Sequence, residues 1–517
     1  MVRSSRYAIA LTAALGMVMA VLDNTIINIA LVPIANGLRV DLSVVQWLIT
    51  GYFLSQAAVI PIAGYLSNRF GRKNVFLVSI ILFTLGSLLC GLARDATLLI
   101  TFRIIQGIGA GAIFPVAQAI TLEPFPPNER AKANAIIGIP ILLAPVFGPI
   151  LGGWLNDLAG WPYLFFINVP IGILSVLLIW FIIPRDRPQQ VSDQKYFDYI
   201  GLTLSILGVL ALVYAFTLVN QIDPASRTTL NPMGHAYGWS YWLVWTLFAL
   251  GALLLTLFTF YELRSRDPVL DVRLFKEYNF TIASVVSWFL GMTVFGSLLL
   301  IPIFLQQVHL PHLTAFEAGL VLFPQGIGAV LGIALGGPLY PRIGVRALTA
   351  GGVLILIVAL WQFGHLTPTV SGLSLVPWNV LLGFGLGLTI IPSQTLALQT
   401  LSGTALAKGS SLYAVTRQIT SSIGTAIITS LLVQQTISHM AALQSQLPVG
   451  TPPDPRSPQV TQMMAQAGTS ANNDVFTILA IATGVLFFVA LLLPGRKKLA
   501  EINAAQTQEN QEAIAPL

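Results

Sequence analysis

Charge is what this sequence has least of. Asp, Glu, Lys and Arg make up 9% of its 517 residues, against about a quarter in an ordinary soluble domain. That scarcity excludes a soluble globular protein, a disordered chain and a nucleic-acid binder. A multidomain enzyme of this length also needs more polar surface to cover its domains. A single cysteine, Cys90, excludes a disulfide scaffold. His309 and His312 flank Pro311 with no carboxylate or cysteine beside them, so they make no metal-ligand pattern. No nucleophile–base set appears, and the chain is read as not an enzyme. The strict apolar alternation of a membrane barrel is missing too.

What remains is apolar. Hydrophobic residues make up 55% of the chain, enough for roughly 12 to 14 membrane helices of about 20 residues each. No Asp, Glu, Lys or Arg occurs from Tyr278 to Phe316, from Ala347 to Ala407, or from Gln418 to Pro453. A charge at a helix centre costs roughly 2.5–3.5 kcal/mol on insertion scales, so runs this long are what lipid selects. Cutting at charges and Pro/Gly clusters gives fourteen helices, centred near 20, 56, 84, 109, 145, 173, 208, 251, 290, 328, 355, 384, 422 and 484. The first, near 7–34, has no small-residue cleavage site and reads as a retained span. Long outer loops are expected over 221–239 and 437–473, and a disordered tail from 501.

With the N-terminus inside, twenty of the 26 Lys and Arg fall on the inner side, four outside, and Arg103 and Arg417 within spans. That split places both termini in the cytoplasm. The net charge of +6 is then an orientation signal, and no nucleic acid is needed to explain it.

The chain also repeats itself. Gly107, Gly109 and Gly111 recur as Gly383, Gly385 and Gly387, and Ala131-Lys132-Ala133 as Ala407-Lys408-Gly409, at an offset of 276. Gly64, Arg69 and Gly71 recur as Gly337, Arg342 and Gly344 at an offset of 273. Helices 2–5 thus match helices 10–13, with helices 7 and 8 left over. The expected layout is a six-helix half (1–190), an inserted pair (191–265), a second six-helix half (266–500) and a tail (501–517). Parallel halves of this kind place a transport site between them, near the midplane.

Polar residues inside the runs mark candidate sites. Asp23 is the one carboxylate placed deep in a span, with Asn24 and Asn28 beside it. It is expected to face a water-filled cavity and to trade a proton there. Arg103, Gln106, Gly107 and Ala110 share one face of helix 4, and the arginine is a fixed positive charge. Gln46, Trp47 and Tyr52 on helix 2 and Arg417 on helix 13 are candidates to line a substrate path. Gly148, Pro149, Gly152 and Gly153 read as a hinge and seal on helix 5.

These residues, in this order, resemble the major facilitator superfamily, and within it the 14-helix drug:proton antiporters of the EmrB/QacA type. The resemblance covers nearly the whole chain. Leu22-Asp23-Asn24-Thr25 through Leu31 is similar to the family's helix-1 motif, Gln46-Trp47 through Tyr52 to its helix-2 pattern, and Leu99 through Ala110 to its helix-4 motif. Gly148 through Gly153 resembles the antiporter motif that marks exporters over importers. In the loop between helices 2 and 3, Gly64, Arg69, Gly71, Arg72 and Lys73 fit the motif, but Asn68 stands where the family has an aspartate that helps latch the cytoplasmic side. The helix-1 proline is shifted to Pro33, and Ala144 replaces a small glycine in helix 5.

The resemblance implies an all-α polytopic protein of the bacterial inner membrane. It implies export of amphipathic drug-like or lipid-like molecules by alternating access, with no cofactor beyond the proton gradient and with Asp23 and Arg103 coupling protons to substrate. The implied partners are a small-molecule substrate, protons and the lipid bilayer. A periplasmic adaptor stays open, because EmrB-like members use one and QacA-like members do not. The alternatives are a facilitator or symporter for a native metabolite or lipid, and a non-transporting membrane sensor or scaffold.

Overall fold

The computed structural model describes residues 5–40, 42–45, 47–126, 129–185, 198–221, 237–265, 270–401, 403–444 and 458–496, together with 223 and 268. Helix dominates them, as lipid requires of backbone that has no water to bond. The N-terminal region holds α1 (Arg6–Leu38), the single turn α2 (Leu42–Val45), α3 (Trp47–Phe70), α4 (Arg72–Leu92), α5 (Ala96–Leu122) and α6 (Arg130–Ala159). The single turn α7 (Tyr163–Phe166) and α8 (Asn168–Ile182) complete it. Next come α9 (Tyr199–Asn220) and α10 (Trp242–Arg264). The remainder holds α11 (Tyr278–Ile303), α12 (Ala315–Phe363), α13 (Gly372–Gln399), α14 (Gly403–Gln444) and α15 (Pro458–Leu491).

All fourteen expected centres lie within these helices. Among the described residues, however, 11 stretches are long and apolar enough to cross a membrane, so that measure does not reach fourteen. One of the 11 is α12, which is two helices joined at Gly344, where φ is +85°. The expected outer loop over 437–473 is corrected: α14 stays helical to Gln444 and the next helix begins at Pro458. At 1.5 Å per residue, the 42 residues of α14 span roughly 60 Å, about twice a hydrocarbon core. Polar composition and the prolines from Pro448 to Pro458 made the whole stretch read as loop. Instead His439 and Asp474 bridge the two helices at 2.7 Å.

The repeated glycines explain the packing. A Cβ on Gly107 lands 2.6 Å from the Tyr52 carbonyl oxygen, and one on Gly111 lands 2.7 Å from that of Gln56, both on α3. Gly109, on the opposite side, meets α4 at the Phe83 nitrogen, 2.6 Å away. The duplicate behaves alike. Gly383 and Gly387 meet the first segment of α12 at Gln325 and Ala329, while Gly385 meets the second segment at the Gly352 oxygen, 2.8 Å away. Alternate glycines therefore let one helix lie against two neighbours at backbone contact, once in each half. The joint before α4 matches the joint within α12, for Gly71 also has φ +85°. Two residues past Gly71, Lys73 Nζ donates to the Trp180 and Ile183 oxygens at the end of α8, and two residues past Gly344, Arg346 Nε donates to the Leu493 oxygen just past α15.

The two halves meet where α6 packs on α12 and where α3 packs on α14, and α9 lies against both α3 and α14. The buried apolar residues of α11–α15 join one large cluster that also takes in Ala57 and Ile60 of α3, Leu122 of α5 and Ala133 of α6, while α1–α8 hold two further clusters of their own. On α10, Trp242, Trp245, Leu253 and Phe260 face outward, the pattern of a helix solvated by lipid.

Candidate functional site

The polar centre lies in the first half and is built by five helices. Asp23, on α1, is 3% exposed. Arg103, on α5, is fully buried and donates from Nη1 to Asp23 Oδ2 at 2.6 Å. Gln106, one turn along α5, donates from Nε2 to Asp23 Oδ1 at 2.9 Å and accepts from Arg103 Nη1 at 2.7 Å. Asn168, at the start of α8, donates from Nδ2 to the same Oδ1 at 2.7 Å. Arg103 also donates from Nε to the Leu48 oxygen on α3 at 3.3 Å, and its carbon Cζ lies 4.3 Å from the centre of the Tyr52 ring. A desolvated cation over an aromatic face is worth about 2 kcal/mol. Ser87 and Cys90 of α4 close the cluster, Ser87 by accepting from Asn168 at 2.9 Å. Arg103 Nη2 is buried without a partner.

This arrangement corrects one expectation and refines several. Asp23 does not face a water-filled cavity: an arginine and two amides enclose it. The structure brings Tyr52, Arg103 and Gln106 to Asp23. Asn24 stays half-buried beside the Tyr52 ring. Trp47 is 38% exposed and rests against Tyr214 of α9, away from this cluster. Arg417 is half-buried on α14, in the other half. Gln46 and the side chains of Asn28 and Pro149 lie outside the described residues.

A second correction concerns acids. The sequence singled out Asp23 alone, yet Glu262, in the last turn of α10, is also fully buried. Its carboxylate accepts from the Leu270 amide at 3.4 Å, and it lies at a helix end, well away from Asp23 in the chain. Asn168 and Ser87 were missed outright. Only the fold joins them to the acid: Asn168 bonds to Asp23, 145 positions away, and to Ser87, 81 positions away.

The glycines of helix 5 are unequal. A Cβ on Gly148 collides with the Thr25 side chain, one on Gly152 touches Ile26 at an ordinary 3.4 Å, and one on Gly153 meets nothing within 4 Å. Gly148 and Gly152 therefore face α1, on the turn that carries Asp23. In the loop motif, Arg72 pairs with Glu123 and Arg69 Nη1 donates to the Tyr65 hydroxyl at 2.7 Å, while Asn68 is half-buried. These contacts, like the bonds from Lys73 Nζ to the Trp180 and Ile183 oxygens, stay within the first half. The halves are joined at the same end by Arg130, whose Nη1 donates to the Leu398, Gln399 and Leu401 oxygens at 2.7, 2.8 and 2.9 Å. Asn134 Nδ2 adds a bond to Thr395 Oγ1 at 2.8 Å. Nearer the other end, Phe147 and Phe323 meet edge to face at 5.8 Å.

The repeated glycine packing and the buried ion pair describe an apolar helical bundle with a charged centre, and comparison with known proteins gives its class. The Major Facilitator Superfamily profile matches residues 13–425, and the chain belongs to that family. It is 33% identical over 493 residues to the "Multidrug resistance protein B homolog" of Mycobacterium tuberculosis (strain ATCC 25618 / H37Rv), covering 93% of this chain and 87% of that one. It is equally 33% identical, over 465 residues, to the "Multidrug export protein EmrB" of Haemophilus influenzae, covering 89% and 87%. Among solved structures, that of the human organic anion transporter MFSD10 superposes with a TM-score of 0.60 at 14% identity, over 94% of this chain and 100% of the other. The protein is therefore a multi-pass membrane transporter of drug-efflux ancestry, and not an enzyme.

Proposed function

We propose that this chain exports amphipathic drug-like or lipid-like molecules across the bacterial inner membrane in exchange for protons. The observation that carries the reading is the buried Asp23–Arg103 pair at 2.6 Å, a titratable acid held in the apolar interior of a two-half bundle. A buried carboxylate is worth its desolvation only where it is paired or used. The likeness to multidrug export proteins supports the direction of transport. On this reading the basic end of the bundle, with both termini, faces the cytoplasm. α6, the two segments of α12, and α14 all cross the bilayer, giving fourteen spans.

In the cycle, a proton from outside neutralises Asp23 and releases its hold on Arg103. The substrate leaves outward, and loss of the proton inward restores the pair. No cofactor is needed, since each 100 mV supplies about 2.3 kcal/mol per charge moved. The test is a screen of lipophilic cations, neutral drugs and fatty acids in inside-out vesicles, with and without an imposed pH gradient. Uphill accumulation that collapses with the gradient is expected. Equal movement in both conditions for every compound replaces the antiporter with a facilitator.

A further inference from the structure

The interaction of Asn168 with Asp23 has the character of a lock on the acid. An ionised carboxylate only accepts hydrogen bonds, so the amide must turn its NH2 group toward it. Both hydrogens of that group are used. One goes to Asp23 Oδ1 at 2.7 Å and the other to Ser87 Oγ at 2.9 Å. Ser87 is fixed in turn, because its hydroxyl donates to the Phe165 oxygen at 2.9 Å and so presents a lone pair to the amide. Asn168 Oδ1 is buried with no partner. Turning the amide over would press that oxygen against the carboxylate, so the ionised acid admits one orientation only.

We propose that Asn168 is a positioning residue for proton exchange at Asp23. Its amide favours the ionised acid and ties the start of α8 to α1 for as long as the proton is absent. When a proton binds Asp23, the new O–H needs an acceptor, and the demand for an N–H at that spot disappears. The amide is then free to turn its unpartnered Oδ1 toward the acid. α8 thereby senses the charge on α1 through one hydrogen bond. The inference rests on proton coupling at Asp23, but Arg103 and Gln106 alone would satisfy that reading.

The test reads the proton and not transport. In nanodiscs, the infrared band of the protonated carboxyl is titrated across pH, and the signal lost in Asp23→Asn is assigned to Asp23. Bonding to the charged form favours that form. Asn168→Leu should therefore move the midpoint upward by about one pH unit, a tenfold tighter hold on the proton. Asn168→Thr, which keeps one donor, should move it less. Ser87→Ala, which frees the amide without touching the acid, should move it the same way by a smaller amount, and it stands in if the leucine variant does not fold. A midpoint that ignores residues 168 and 87 overturns the proposal, as does an Asp23 that shows no titration in any variant. Asp23→Asn that still pumps uphill would instead sink the antiport reading and leave the midpoint result standing.

Discussion

Asp23 and Arg103 have side chains 2% and 0% exposed, and each is the other's charge partner. Breaking a buried pair by removing one member costs about 3–5 kcal/mol, because the survivor is left charged and alone. Asp23→Asn should therefore do two things. It should abolish pH-driven uptake in inside-out vesicles, and it should lower the unfolding temperature of the purified protein. Adding Arg103→Gln to it should restore most of the stability and none of the coupling, a non-additive pair. Thermal unfolding of the parent, of Asp23→Asn and Arg103→Gln singly, and of the double variant, beside a vesicle assay, checks both claims, and a stable single mutant contradicts the isolation of the pair. Much of this site was legible in the sequence. A lone Asp in an apolar helix and an Arg three residues before a Gln point inward by their cost alone. Asn168, Ser87 and the enclosure of the acid were not legible, since neutral polar residues cost too little in a helix to announce themselves.

At the scale of elements, α6 and α1 touch where Gly148 admits Thr25, whose hydroxyl bonds back to the Leu22 oxygen at 2.9 Å. The seal motif thus bears on the turn that holds Asp23, and sliding of α6 is felt there. Gly148→Val must push α6 and α1 apart, and overpacking of this kind typically costs about 1–3 kcal/mol. It should abolish coupled transport while the protein still reaches the membrane, whereas Gly153→Val, pointing into open space, should transport nearly as the parent does. Equal transport by both variants would show that the motif's role is not packing. Gly152 lies between these extremes, a distinction the bare motif does not contain. Helix positions were legible because lipid imposes long apolar runs. The extra length of α14 and α15 was not, because polar helix beyond a bilayer and polar loop have the same composition.

For the whole molecule, alternating access requires the basic end to close and open in turn. The sequence points to the loop motif as the latch and to Asn68 as its weakness. The structure places the cross-half bonds elsewhere: Arg130 holds three carbonyl oxygens at the end of α13, where the helix's unsatisfied acceptors and negative dipole end favour a cation. Restoring an acid by Asn68→Asp then adds an ion pair beside Arg69 or Arg72 within one half. A partly exposed pair is worth about 0–1 kcal/mol, so the balance between states should move less than about fivefold. Arg130→Ala removes hydrogen bonds from a charged donor, each worth about 1.5–3 kcal/mol. That is a shift of at least about tenfold toward the state open at the basic end. Spin labels on the basic ends of α3 and α14, read by double electron–electron resonance, distinguish the two. The Arg130 variant should gain a long-distance population that Asn68→Asp does not gain. The reverse order, with Asn68→Asp closing the end strongly and Arg130→Ala leaving the distances unchanged, would return the latch to the loop motif.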